Sequence, residues 1–261
     1  MAEPDFETLD VSVDGGIATI RLANDPVNAI SQTVRFELAE SLDVIRGDDV
    51  RAVIVAGAGD VFSVGADIAL FEAAQEWSTS EFRTNSRVLG RVFEGLEELE
   101  KPVLAAIEGA CVGGGYELAL ACDVRIAGPE ATLGFPERNI GLIPGLGGCS
   151  RFVDLVGPGR AKDLVFRGAL VDAAEAAEYG MIEHVEPDPV AFAREYAADL
   201  LDGPPQAVGL SKRVITAARD TDVATAGLLE SLAQSTLIKT DDHREGIEAF
   251  REDRDPEFSG S

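Results

Sequence analysis

An α/β fold is the expectation for this chain, and three observations predict it. Buried strands, read at 51–57, 102–107 and 124–127, alternate with segments whose apolar residues recur at helical spacing. Glycine-rich loops follow those strands. The length of 261 residues, 46% of them hydrophobic, suits one large domain, or one domain with a small appendage.

The first element is a hairpin. Residues 6–13 and 16–22 alternate apolar and polar around Asp14-Gly15-Gly16. Residues 31–46 predict a helix with Val34, Leu38, Leu42 and Ile45 on one face and Ser31 as its cap. The strand 51–57 ends in a Gly-rich loop, and an amphipathic segment covers about 78–99. A second buried strand runs over 102–107. Gly113-Gly114-Gly115 then leads into an apolar helix, Tyr116 to Cys122, and Val124–Ala127 is a third strand. From about 188 the pattern is helical only, broken by Gly203-Pro204-Pro205. The expected division is therefore 1–187, the core that holds the site, and 188–261, a helical region packing on the core or on a neighbouring subunit.

Composition excludes several functions. The chain has 47 acidic and 22 basic residues, a net charge of −25, so its field repels phosphate and argues against nucleic-acid binding. The bases are 18 Arg and 4 Lys. Abundant acid with little Lys fits a protein that stays hydrated in concentrated salt, where the Debye length shrinks to about 3 Å near 1 M and screens self-repulsion. Cys111, Cys122 and Cys149 are too few for a disulfide framework and are expected to be small core residues. Two His and no CxxC pair leave a metal site without obvious ligands. The first residues lack the features of a signal peptide, and no apolar run reaches the ~18 residues of a membrane span. A cytoplasmic protein, bound to neither membrane nor nucleic acid, is expected.

Three loops carry the chemistry. They are Phe62–Ile68, Gly113–Glu117 and Phe135–Gly148. Glycine lets the backbone approach a ligand closely, and a helix start adds unpaired N–H groups and partial positive charge. Two such loops brought together can form an oxyanion hole; each alone can equally serve only turns and packing. Glu117 has apolar neighbours on both sides. Burial there raises a carboxyl pKa and suits a general acid or base, whereas a solvent-facing Glu would serve the helix dipole. Glu137, alone, is an ordinary loop acid. Two acids beside two donor loops suit proton transfer next to a developing enolate. Ser150 stands where a dinucleotide fingerprint needs its third Gly, and neither a GxxxxGK[ST] loop nor a GxSxG elbow is present.

The run Ser63-Val64-Gly65-Ala66-Asp67-Ile68, then Gly113-Gly114-Gly115-Tyr116-Glu117-Leu118, then Pro136-Glu137 through Pro144-Gly145-Leu146-Gly147-Gly148 resembles the crotonase (enoyl-CoA hydratase/isomerase) superfamily. Pro26–Ile30 and Glu248–Phe258 extend the resemblance over nearly the whole chain. The resemblance implies a spiral of ββα turns with a C-terminal helical region that forms trimers, or dimers of trimers. It implies that the Ala66 and Gly114 N–H groups hold a thioester carbonyl oxygen, and that Val64, Asp67 and Ile68 bind substrate. Glu117 and Glu137 match the two glutamates of true hydratases. The implied reaction is reversible syn addition of water across the 2,3 double bond of a 2-enoyl-CoA. Coenzyme A enters as part of the substrate, with no separate cofactor.

Two departures from the family pattern concern the coenzyme A phosphates. The loop before Asn28-Ala29 has no base, and Ala69 stands where many hydratases have Lys. Bases of the C-terminal helices are expected to replace them. The other enzyme reading is an enoyl-CoA isomerase or another acyl-CoA lyase of the superfamily. A third is a non-catalytic acyl-CoA- or RNA-binding relative, which the acidic charge and the two glutamates oppose.

Overall fold

The computed structural model describes residues 5–261. The expected hairpin is present. Strands β1 (Leu9–Asp14) and β2 (Ile17–Leu22) pair antiparallel, with Val11 opposite Ile20. Gly15 and Gly16 make the turn at φ of 55° and 84°, values that suit glycine in a two-residue hairpin loop. In α1 (Gln32–Ile45), the Ser31 hydroxyl accepts from the Val34 N–H, and Val34, Leu38, Leu42 and Ile45 are buried.

Then come β3 (Ala52–Gly57), a short α2 (Ile68–Ala74), α3 (Thr79–Glu98) and β4 (Val103–Ile107). Ser78 and Glu81 form a capping box at the start of α3. The chain continues through β5 (Ala110–Val112), α4 (Gly114–Leu120), β6 (Val124–Ala127) and β7 (Thr132–Gly134). A single 3₁₀ turn, Glu137–Ile140, precedes α5 (Gly148–Arg167), which kinks at Gly157 before Pro158. After β8 (Leu170–Asp172), α6 (Ala173–Glu178) and β9 (His184–Val185) the remainder is helical: α7 (Pro189–Leu201), α8 (Pro205–Ala218), α9 (Val223–Leu237) and α10 (Asp241–Glu252).

Six strands form one sheet in the order β1-β2-β3-β4-β6-β9, parallel from β2 onward. Every residue of β3 and β4 is buried, because helices cover both faces. Val53, Val55, Val103 and Ala105 join one core with residues of α1 and α3 such as Leu38, Leu42, Val92 and Phe93. Ala52, Ile54, Leu104 and Ala106, pointing the other way, meet Ala193 and Ala197 of α7. A second sheet, β5-β7-β8, stands apart and was not expected from the sequence; its strands have only three residues each.

Among the described residues every strand lies before residue 187, and only helices follow it. Helix α7 belongs to the sheet's second face. Helix α8 is tethered to the core through Lys212, which pairs with Asp123 at 2.8 Å and donates to the Leu96 and Lys101 carbonyls. One cysteine expectation is corrected. Cys111 and Cys122 are buried, but Cys149 is exposed. Gly148 packs on Pro144 and Glu117 at the start of α5, and the next residue turns about 100° away from that contact. Among the described residues no helix is long and apolar enough to cross a membrane.

Candidate active site

Backbone bonds bring the first two loops together. Asn28, buried and at φ 53°, donates from its side chain to the Ala58 and Val61 carbonyls. Its own carbonyl accepts from the Ser63 hydroxyl at 2.7 Å. The Ile30 N–H donates to Gly65 O at 2.7 Å, the Ser63 N–H to Ala110 O at 2.9 Å and the Val112 N–H to Ser63 O at 3.0 Å. The loop 62–66 is thereby laid along β5 like an extra strand. Gly65 is required there. Its φ is 87°, and an added Cβ would lie 2.8 Å from Val112 O and 3.0 Å from Gly114 N.

This places Ala66 beside Gly114: a Cβ built on Gly114 would sit 3.6 Å from the Ala66 nitrogen. Among the described residues neither of these two N–H groups has an acceptor. That of Gly114 belongs to the first turn of α4, where helix N–H groups are unpaired and the helix end carries partial positive charge. Two such donors can hold an oxygen on which negative charge develops.

Glu117 lies one turn into α4 and is only 3% exposed. Its Oε1 accepts from the N–H of Leu146 at 2.7 Å and of Gly148 at 2.8 Å. Burial raises its pKa despite those two bonds and the charge of Arg151. Glycine is needed at 148, since a Cβ there would meet Pro144 at 2.6 Å and Glu117 Oε1 at 2.8 Å.

Glu137 begins the 3₁₀ turn and is half-buried. Its Oε1 packs over Gly113, 3.0 Å from where a Cβ would stand, and its Oε2 is buried without a partner among the described residues. Burial raises its pKa from 4.5 to about 7, and the Glu117 charge adds to the shift. The preceding Phe135 is locked with Tyr116 and Phe152 in a buried aromatic cluster, ring centroids 5.2–5.9 Å apart. That cluster fixes α4, α5 and the Glu137 turn against one another.

Ala66, Gly114, Glu117, Glu137, Val64 and Ile68 border one cavity of about 390 Å³. Asp67 takes a different part: its carboxylate caps α2 by accepting from the Ala69 N–H at 2.9 Å, and it does not line the cavity. Among the described residues no group of three or more His, Cys, Asp or Glu is placed to hold a metal ion.

Sequence reasoning missed Arg151. Its guanidinium grips both oxygens of Glu97, at 2.8 and 2.5 Å, and donates to the Leu146 carbonyl at 2.8 Å. The N–H of that same Leu146 holds Glu117. Arg219, the C-cap of α8, reaches Glu97 at 3.2 Å. Burial opposes the ionisation of Glu97, but the bonds from Arg151 and Arg219 outweigh it and lower its pKa. No local motif marks a residue that acts through a neighbour's backbone.

The fold and the paired carboxyls beside two unengaged N–H groups define an α/β enzyme architecture of the crotonase type. The model of the family described as enoyl-CoA hydratase/isomerase matches residues 12–261. This chain belongs to that family of enzymes, which acts on acyl-CoA thioesters. It is similar to the short-chain-enoyl-CoA hydratase of Clostridium acetobutylicum, 38% identical over 92% of this chain and 93% of that one. It is also similar to a crotonyl-CoA hydratase of Syntrophomonas wolfei, 36% identical over 89% of this chain and 90% of the relative. Among solved structures, an enoyl-CoA hydratase of Bacillus anthracis superposes with a TM-score of 0.91 at 35% identity, covering 98% of this chain and all of that one. The crotonase-like α/β fold expected from the loop motifs is the one observed.

Proposed function

We propose that this chain is an enoyl-CoA hydratase that adds water reversibly, with syn geometry, to the 2,3 double bond of a 2-enoyl-CoA thioester. One observation carries the reading: two carboxyl groups whose pKa values burial raises share a cavity with two backbone N–H groups that have no acceptor among the described residues. The thioester oxygen sits between the Ala66 and Gly114 N–H groups, which stabilise the enolate-like charge as water attacks C3. Water gives one proton to the carboxyl pair and its hydroxyl to C3. C2 receives one proton from the pair, which so ends with the proton count it began with. Glu137, raised to about 7, exchanges the C2 proton. Glu117, its Oε1 held by two amides, orients and activates the water through its other oxygen. Val64 and Ile68 flank the entering thioester, and coenzyme A arrives as part of the substrate.

The same reading includes a trimer, or a dimer of trimers, closed by the C-terminal helices. Val223 and Phe250 are 90% and 86% exposed, and Ile215 and Leu228 are exposed with them. It also includes work in concentrated salt, supported by the charge of −25.

The experiment is the loss of enoyl absorbance when the protein meets crotonyl-CoA in concentrated salt. Formation of 3-hydroxybutyryl-CoA carrying oxygen-18 from labelled water is the expected outcome. A folded protein that instead moves a double bond without taking up label is an isomerase, and the hydratase reading falls. Light scattering after size exclusion gives the subunit number; a monomer would overturn the trimer.

A further inference from the structure

Arg35 is the fourth residue of α1 and is only 6% exposed. Its Nε is sealed from solvent without an acceptor, and among the described residues its guanidinium has no ion-pair partner. Burial lowers its pKa, and no neighbouring charge offsets that effect. An arginine stays charged and presents five N–H donors, so burying it unanswered is costly.

Arg35 borders the same cavity as Glu117 and Glu137. Among the described residues it pairs with neither of them. The charges acting on Glu117 and Glu137 are that of Arg151 on the first and that of Glu117 on the second, not that of Arg35. Helix α1 packs on α3, and α3 gives Phe82, Ser86 and Leu89 to the cavity wall. The cavity thus holds, between mainly apolar walls, two carboxyl groups and a cation. Nothing in the proposed hydration chemistry uses that cation.

We infer that Arg35 receives a carboxylate carried on the acyl group, so that the preferred substrates are short 2-enoyl-CoA thioesters bearing a second acid. The inference rests on the proposed acyl-CoA reading and narrows it to a substrate class. A guanidinium binds a carboxylate through two parallel N–H bonds, and a buried pair of this kind is only weakly screened by salt. An inorganic anion such as chloride is the other possible source of the negative charge.

The test uses saturated thioesters, so it does not require turnover. Calorimetric titration of the whole protein compares glutaryl-CoA with pentanoyl-CoA, and adipyl-CoA with hexanoyl-CoA. In at least one pair the diacid is expected to bind at least ~10-fold more tightly, as for a charged hydrogen bond. Arg35→Leu is expected to reduce that ratio to about one or below, and Arg35→Lys to keep part of it. Equal affinity within both pairs for the unmodified protein overturns the inference, with no variant needed. So does an Arg35→Leu protein that weakens both members of a pair by the same factor. A melting temperature raised by chloride, with the rise lost in Arg35→Leu and no diacid preference, assigns the cation to an inorganic anion and overturns it too. Failure to hydrate crotonyl-CoA or glutaconyl-CoA would remove the hydratase reading while leaving the binding ratio intact.

Discussion

Glu117 and Glu137 share one cavity under opposite restraint. Two backbone N–H groups fasten Oε1 of Glu117, at 2.7 and 2.8 Å, whereas Oε2 of Glu137 is buried with no partner among the described residues. A fastened carboxyl keeps its orientation while it handles water. A carboxyl oxygen without a partner is free to take up or release a proton.

Glu117→Gln and Glu137→Gln are each expected to lower turnover of crotonyl-CoA by at least ~10², the lower end for loss of a general acid or base. Circular dichroism should show both variants folded. Near-full activity in either would remove that residue from the chemistry.

The pKa of Glu137 sets a pH dependence whose sign differs with direction. Burial raises it from 4.5 to about 7. If its proton goes to C2, kcat/KM for hydration falls as pH rises through about 7, and dehydration of the 3-hydroxyacyl-CoA falls as pH drops through the same value. Stability follows the same linkage: the folded state holds this proton more tightly, so the contribution is complete below 4.5 and lost as pH rises through about 7. The difference in stability between the unmodified protein and Glu137→Gln, measured by denaturant titration, should show that slope. A difference independent of pH would mean an ordinary surface carboxyl.

Arg151 is a positioning residue, because it donates to the carbonyl of Leu146, the residue whose own N–H donates to Glu117. Arg151→Gln should lower kcat more than it raises KM and shift the pH profile, with Arg151→Lys recovering part of the loss. It also leaves the partly buried Glu97 with Arg219 alone, costing on the order of 2 kcal/mol of stability. A variant with reduced stability but an unchanged kcat and pH profile would show a structural role alone.

A charge of −25 must repel itself when unscreened. Raising salt from about 0.1 M to about 3 M should raise the melting temperature substantially, since the Debye length contracts from about 10 Å to below 3 Å. A melting temperature insensitive to salt over that range would remove the reading of a protein suited to concentrated salt.

The elements legible in the sequence are those with a local cause. Gly15 and Gly16 announce the hairpin, Ser31 caps α1, and the buried runs of β3 and β4 read as strands. The donor loops and both glutamates could be read from their motifs, and the fold brings them to one cavity. The remainder depends on distant partners. Strands β5, β7 and β8 are too short to show a period and exist through their mutual pairing. Asp67 stands within a motif yet spends its carboxylate on the α2 N-terminus. No local pattern marks Arg151 or Arg35; only the folded chain pairs one with Glu97 and leaves the other buried without an ion-pair partner among the described residues.

The two amides that fasten Glu117 come from residues 29 and 31 positions further along the chain. On a ribosome Glu117 is therefore made well before its holders, and a chain that has not yet delivered residue 148 carries the first glycine motifs with an unfastened carboxyl. Contacts of this span form only after the loop between them has closed. Recovery of hydration during refolding should accordingly track completion of the core rather than the first appearance of helix, making turnover a clock for the last stage of assembly.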